Sequence, residues 1–290
     1  MPEYLTTKEL AELLRLKERK VYDLAASGVL PCFRATGKLL FPRDGINAWL
    51  AESGSSFLAA GKPIPTVFLG SHDPLLEWAL RESRCGIATF FDGSSDGLAR
   101  FAAREGLATG LHLHDESGAD WNVAPVIQAC AAMPVALVEW AKRCRGLIVS
   151  DRYCKEIRTF EDLRGKRVVP RQEEAGAQNL FRHLLDRAGL APNDLHFTAP
   201  ARTEQDAALA VLEGKADAAF GLQALASQYK LPFHPIVRER FDILVDRRSW
   251  FEPPLQKFLT FCRTDAFAER ADGLAGYDIA NSGQVHFNGP

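Results

Sequence analysis

Apolar and polar positions follow two different periods along this chain, and the change between them divides it. In the first fifty residues the spacing is helical. Leu10, Leu13 and Leu14 fall at i, i+3 and i+4, and Val21, Leu24 and Ala25 repeat that face after a brief turn at Arg15–Leu16. Thr6 or Thr7 can cap the first helix, with Glu9 at capping-box spacing from Thr6. Gly28 stands where a C-cap is needed and Pro31 closes the segment. In FRATGKLLFPRDGINAWL the pattern changes to two short strands about Thr36-Gly37-Lys38, then a last helix capped by Asp44 and ending in Trp49-Leu50. Two short helices, a tight turn and a basic hairpin make a winged helix-turn-helix, whose second helix enters a major groove. Lys17, Arg19, Lys20 and Tyr22 fall on the solvent face of that second helix.

AESGSSFLAAGKPIP, from Ala51 to Pro65, has the small, Pro- and Gly-rich composition of a linker. The expected division is a DNA-binding domain over 1–52, a linker over 53–63 and a second domain over 64–290. In that second domain apolar runs alternate with helix-length segments. TVFLGS (66–71) precedes a helix in PLLEWALRES, IATFFDGS (87–94) precedes one in DGLARFAAREG, and ATGLHLHD (108–115) leads to a long one through VIQACAAMPVALVEWAKR. GLIVS, KRVVPR, LHFTAP and DAAFGL read as later strands. The alternation predicts an α/β fold with mainly parallel sheets, and its length suits two lobes.

Several of these strands end in polar, turn-forming residues: Ser71-His72-Asp73, Ser94-Ser95-Asp96-Gly97, His112-Leu113-His114-Asp115, and Arg171-Gln172 with Gln178 beyond. Strand ends of an α/β sheet gather at one edge, so these are expected to meet in one cleft. GSSDG opening directly into a helix has the layout of an anion cradle, with hydroxyls and free N–H groups at a helix N-terminus. Asp96 is unfavourable there unless it turns away or caps the helix.

Composition narrows the function classes. The chain has 290 residues, 47% apolar and 25% charged, with a formal charge of −2, so the whole molecule exerts no general pull on nucleic acid or membrane. The first fifty residues nevertheless carry eight lysines and arginines against six acids, a mildly basic head on an acidic body. No export signal or membrane-length apolar run is visible, and the six cysteines form no CxxC pair. A cytoplasmic protein with reduced thiols is expected. His112 and His114 share one strand face, as metal ligands can, but no third ligand follows from the spacing, and no metal is expected. Neither a phosphate-binding G-x-x-x-x-G-K-[ST] loop nor a G-x-S-x-G elbow is present, so no cofactor and no catalytic residue is expected.

Two resemblances sharpen this reading. LTTKELAELL, KVYDLAASGVLP and FPRDGINAWL resemble the excisionase-type, MerR-related winged helix-turn-helix. The resemblance implies that Arg19, Lys20 and Tyr22 face double-stranded DNA, with Arg34 and Lys38 on the wing. GSHDPLLEWAL, the GSSDG region, GLIVS, RQEEAGAQNLFRHLL, AALAVLEGKADAAFGLQALA and GYDIANSGQV resemble the molybdate-binding-protein-like sensor domain of the type II periplasmic binding proteins. That implies a two-lobed clamp, with lobe 1 about 64–145 plus 245–290 and lobe 2 about 146–244. The implied ligand is a small anion, molybdate, tungstate or an organic anion, held by Ser71, His72, Ser94, Ser95, His112, Arg171, Gln172 and Gln178. A ligand-sensing transcriptional regulator acting as a homodimer is the expected function. The alternative is an enzyme or ligand carrier that uses the same cleft, with the head serving protein contact.

Overall fold

The computed structural model describes residues 4–14, 16–35, 37–52, 63–114 and 121–290. They form two compact units, Met1–Pro63 and Ile64–Pro290. The expected linker, Pro63 apart, lies outside the described residues, as do Arg15, the turn residue Thr36 and Asp115.

In the first unit, β1 (Tyr4–Thr6) leads into α1 (Thr7–Leu14), α2 (Glu18–Ala26), the hairpin of β2 (Phe33–Ala35) and β3 (Lys38–Pro42), and α3 (Arg43–Glu52). The capping box forms with Thr6 outside the helix. Its N–H donates to Glu9 Oε2 at 2.8 Å, and the Glu9 N–H donates back to Thr6 Oγ1 at 3.3 Å. Gly28, at φ +73°, ends α2 in the left-handed conformation that glycine adopts most readily. Leu5, Leu10, Val21, Leu30, Phe41 and Ile46 form the core of this unit. Three expectations change. Leu13 is 48% exposed rather than part of the apolar face. Asp44 lies in the first turn of α3, which starts one residue earlier. The hairpin gains a third strand, since β1 pairs antiparallel with β3.

The second unit is built on a ten-stranded mixed sheet. Its first part runs β4 (Val67–Gly70), α4 (Pro74–Glu82), β5 (Ala88–Phe90), α5 (Ser94–Ala102), β6 (Ala108–Leu111) and α6 (Val123–Cys130). The long β7 (Val135–Val149) crosses into the second part, β8 (Arg167–Val169), α7 (Gly176–Arg187), β9 (His196–Phe197), α8 (Glu204–Leu212), β10 (Ala218–Leu222) and α9 (Gln223–Gln228). The equally long β11 (Phe233–Asp246) returns to α10 (Arg247–Trp250), α11 (Pro253–Phe261), α12 (Asp265–Asp272), β12 (Tyr277–Asp278) and β13 (Val285–Asn288).

β4, β5 and β6 are parallel to one another, as are β8, β9 and β10, but β7 and β11 join the two sets as an antiparallel pair. The sheet is therefore mixed rather than mainly parallel. The helix expected through VIQACAAMPVALVEWAKR stops at Cys130, and Val135 onward is strand.

Buried side chains fall into groups at either end of these two long strands. Phe68, Leu76, Trp140, Phe241, Ile243 and Phe258 pack together, with Leu69, Leu111, Leu137 and Leu244 beside them. Leu147, Val149, Phe160, Leu180, Phe181 and Phe220 form a separate group, extended by Ile148, Ala219 and Leu225. Each fully buried large apolar side chain contributes about 1.5–3 kcal/mol. Between the groups, β7 and β11 carry charges instead of apolar residues, and this stretch forms the floor of a cleft. No helix among the described residues is long and apolar enough to cross a membrane.

Candidate functional site

The cleft is formed where strand ends from the two lobes face each other. Ser71, His72 and His112 follow β4 and β6, while Arg171, Gln172 and Glu204 come from the segment after β8 and the start of α8. All six line one small recess, together with Phe91, Gly93, Ala175 and Arg202.

Ser71 and Ser94 are buried, with their hydroxyl oxygens 2.7 Å apart. Ser94 Oγ also accepts the His112 backbone N–H at 3.1 Å, which fixes the hydroxyl beneath the recess. Gly93 precedes α5 at φ +126°, a conformation restricted to glycine, and Ser94 and Ser95 are the first residues of that helix. The Ser95 side chain is exposed, but its N–H donates to the Glu174 carbonyl of the facing lobe at 3.2 Å. Asp96 accepts from Arg100 Nε at 2.8 Å, so its charge is met along the helix rather than in the recess. Gln178 stands behind the recess, its Oε1 accepting the Arg171 N–H at 2.8 Å. Arg171 donates through Nε to the Ala201 carbonyl and through Nη2 to that of Arg202, which holds the guanidinium rigidly against the wall.

Beneath the recess runs a buried chain of charges that sequence reasoning did not find. Arg143 Nη1 donates to Asp73 at 2.8 Å, and its Nη2 donates to Glu239. Arg145 binds Glu239 through Nε at 2.8 Å and Glu204 through both terminal nitrogens, at 2.8 and 3.1 Å. Arg171 Nη1 lies 3.0 Å from Glu204 Oε1, which continues the chain to the recess. Asp73 also caps α4 and accepts from Trp140 Nε1 and the Tyr277 hydroxyl. Burial alone would raise the pKa of Glu204, but Arg145 and Arg171 outweigh it and hold the carboxyl at about 2. Glu239 is likewise held well below the usual carboxylate range by Arg143 and Arg145.

His112 is 2% exposed and stacks on Phe241. Burial pushes its pKa down more strongly than Glu239, 3.3 Å from Nδ1, pulls it up, so the ring is neutral near pH 7. Three buried guanidinium groups therefore face three buried carboxylates with a neutral imidazole beside them, and the floor carries no net charge.

β6 ends at Leu111, so His112 and His114 do not share a strand face. His114 bridges to Trp121, and its ring lies 5.3 Å from that of His183 on α7. Among the described residues no group of three or more His, Cys, Asp or Glu side chains could hold a metal ion.

In the first unit Lys17, Arg19, Lys20 and Lys38 are exposed, and Tyr22 is 51% exposed rather than packed inside. Lys17 is the N-cap of α2, with Arg19, Lys20 and Tyr22 in the turns that follow. Arg34 lies in β2, and its side chain falls outside the described residues.

A clamp-like α/β unit and a helix-turn-helix unit on one chain define a class: a ligand-binding domain joined to a DNA-binding one. The chain belongs to the PBP, or periplasmic-binding-protein, superfamily, whose domain model matches residues 77–263. A helix-turn-helix domain model matches residues 4–54. The uncharacterized protein YvgK of Bacillus subtilis (strain 168) is 24% identical over 97% of this chain and 96% of its own length. Among solved structures, the alkanesulfonate-binding protein SsuA from Xanthomonas axonopodis pv. citri, bound to MOPS, is 16% identical with a TM-score of 0.45, covering 74% of this chain and 80% of that one. PhnD1 from Prochlorococcus marinus (MIT 9301), in complex with methylphosphonate, is 11% identical with a TM-score of 0.47, covering 74% and 92%.

Proposed function

We propose that this protein is a transcriptional regulator whose clamp domain binds a small anion between its lobes and thereby changes the affinity of the helix-turn-helix for double-stranded DNA. One observation carries the reading. Polar side chains from both lobes, Ser71, His72 and His112 on one side and Arg171 and Gln172 on the other, line a single recess, on a chain that also displays Arg19, Lys20 and Tyr22 on a helix of a helix-turn-helix unit. A ligand touching both walls favours the closed clamp by its differential affinity for that state.

The charge balance favours one ligand class over another. Arg171 reaches the recess with its charge already met by Glu204, and the hydroxyls of Ser71 and Ser94 and the side chain of Gln172 supply neutral dipoles. Such a site suits a singly charged small organic anion better than a doubly charged molybdate or tungstate ion, because the one further cation among the described lining residues, Arg202, is largely exposed and lies 4.0 Å from Asp92. Exposed cations on α2 and Lys38 on the wing make the phosphate contacts, and a homodimer doubles the half-site. Action on DNA puts the protein in the cytoplasm.

The test is a thermal-shift screen of the intact chain against molybdate, tungstate and small carboxylates and sulfonates. A ligand present at one hundred times its dissociation constant adds about 2.7 kcal/mol. Stabilisation by an organic monoanion that Arg171→Ala abolishes is the expected outcome. Stabilisation by molybdate alone overturns the ligand class, and silence across the panel overturns the anion reading.

A further inference from the structure

A second cavity lies in the first lobe, away from the interlobe recess. Strands β7 and β11 form one wall with Trp140 and Ile243, and helices α10 to α12 form the other with Trp250, Phe258 and Phe267. Its volume is about 390 Å³, within the range of small-molecule sites. A closely packed interior leaves few voids larger than a water molecule, and an apolar cavity stays dry and accepts apolar ligands.

Its polar features are few, and they point one way. Arg263, exposed after α11, contributes to the lining, and among the described residues its side chain makes no hydrogen bond or ion pair. Glu139 also borders the cavity. The Glu139 side chain, however, is engaged with β13. There its Oε2 meets His286 Nε2 at 2.8 Å. Burial pushes the Cys262 thiol at the wall up to about 12, so it stays uncharged. Aromatic walls with one unpaired guanidinium complement a molecule with an apolar body and a single negative end.

We propose that this cavity is a second ligand site, taking an amphiphilic monocarboxylate whose hydrocarbon part fills the aromatic pocket and whose carboxylate meets Arg263. The site is independent of the interlobe recess, and its test does not use that recess. Trp140 and Trp250 make intrinsic fluorescence of the intact chain the readout. Titration with octanoate is expected to give a saturable change, weakened about tenfold or more by Arg263→Gln, a surface substitution that leaves the fold intact. Octanol, lacking the charge, is expected to bind the unaltered protein no more tightly than octanoate binds that variant. Leu259→Trp, which fills the cavity, is expected to remove the octanoate response while the far-UV circular dichroism of the chain stays unchanged. Octylamine or octanol binding as tightly as octanoate overturns the proposal, as does unchanged octanoate affinity in Arg263→Gln. So does sedimentation showing that a second copy of the chain covers the cavity and excludes octanoate.

Discussion

Gly93 and Glu174 meet across the cleft with no room for a side chain between them. A Cβ on Gly93 would fall 2.5 Å from the Glu174 carbonyl oxygen, the same atom that accepts the Ser95 N–H. The two lobes thus touch at the N-terminus of α5, and the helix end that could cradle an anion is partly satisfied by protein. Gly93→Ala wedges this contact and also forces a side chain into φ +126°, together a cost of about 1–3 kcal/mol to the closed form. Small-angle scattering should show a larger radius of gyration for the variant. An unchanged radius would mean that the contact does not hold the lobes together.

The charge chain below the recess makes a second prediction. Glu239 accepts from both Arg143 and Arg145, all three fully buried. Glu239→Gln leaves two buried guanidinium groups short of counter-charge, and breaking a buried pair in this way costs about 3–5 kcal/mol. Urea unfolding should show a correspondingly lower midpoint at unchanged slope. A loss under about 1 kcal/mol would mean that water reaches the chain of charges.

Two carboxyls give pH dependences of opposite sign. Burial pushes Asp242 up to about 6, against Arg240 and Asn122. The folded state therefore binds the proton more tightly than the unfolded chain, and stability falls as pH rises from the ordinary value near 3.8 through about 6. Relative to Asp242→Asn, the unaltered protein should lose up to about 3 kcal/mol across that window, with no further change above it. Glu204, held at about 2, contributes stability that is present above its ordinary value of 4.5 and is lost as pH falls through about 2. Urea midpoints measured against pH for the protein and for Asp242→Asn and Glu204→Gln separate the two.

On the DNA side, Arg19→Ala with Lys20→Ala should reduce the slope of log affinity against log salt by about 2, one for each phosphate that the variant leaves without its cation. Gel-shift titrations at several salt concentrations measure this directly. An unchanged slope would remove both residues from the interface.

What could be read from the chain follows from where local signals outweigh long-range ones. The capping box at Thr6 and Glu9, the glycine at 28 and the polar strand ends are local, and their geometry is visible in a few residues. VALVEWAKR misled because β7 is buried on both faces, with Leu137, Trp140 and Ala141 all inside. A continuous apolar run next to the true helix α6 has no period that distinguishes strand from helix. β11 went unread because Pro235 and the charges of RERFD look like an exposed loop. Glu239 is buried only because Arg143 and Arg145, almost a hundred positions away in sequence, neutralise it, and Asp242 because Arg240 and Asn122 donate to it. Glu204 was missed for the same reason, since its partners lie on other elements and no spacing announces them.

The most direct measurement is the affinity of the intact chain for its target DNA at fixed salt, with and without the anion that most raises the melting temperature. Coupling between the two sites of about 1–3 kcal/mol corresponds to about a 5- to 150-fold change, and Arg171→Ala should abolish it while leaving ligand-free DNA binding in place. Identical affinities with the clamp empty and saturated would contradict the reading of this protein as a ligand-sensing regulator.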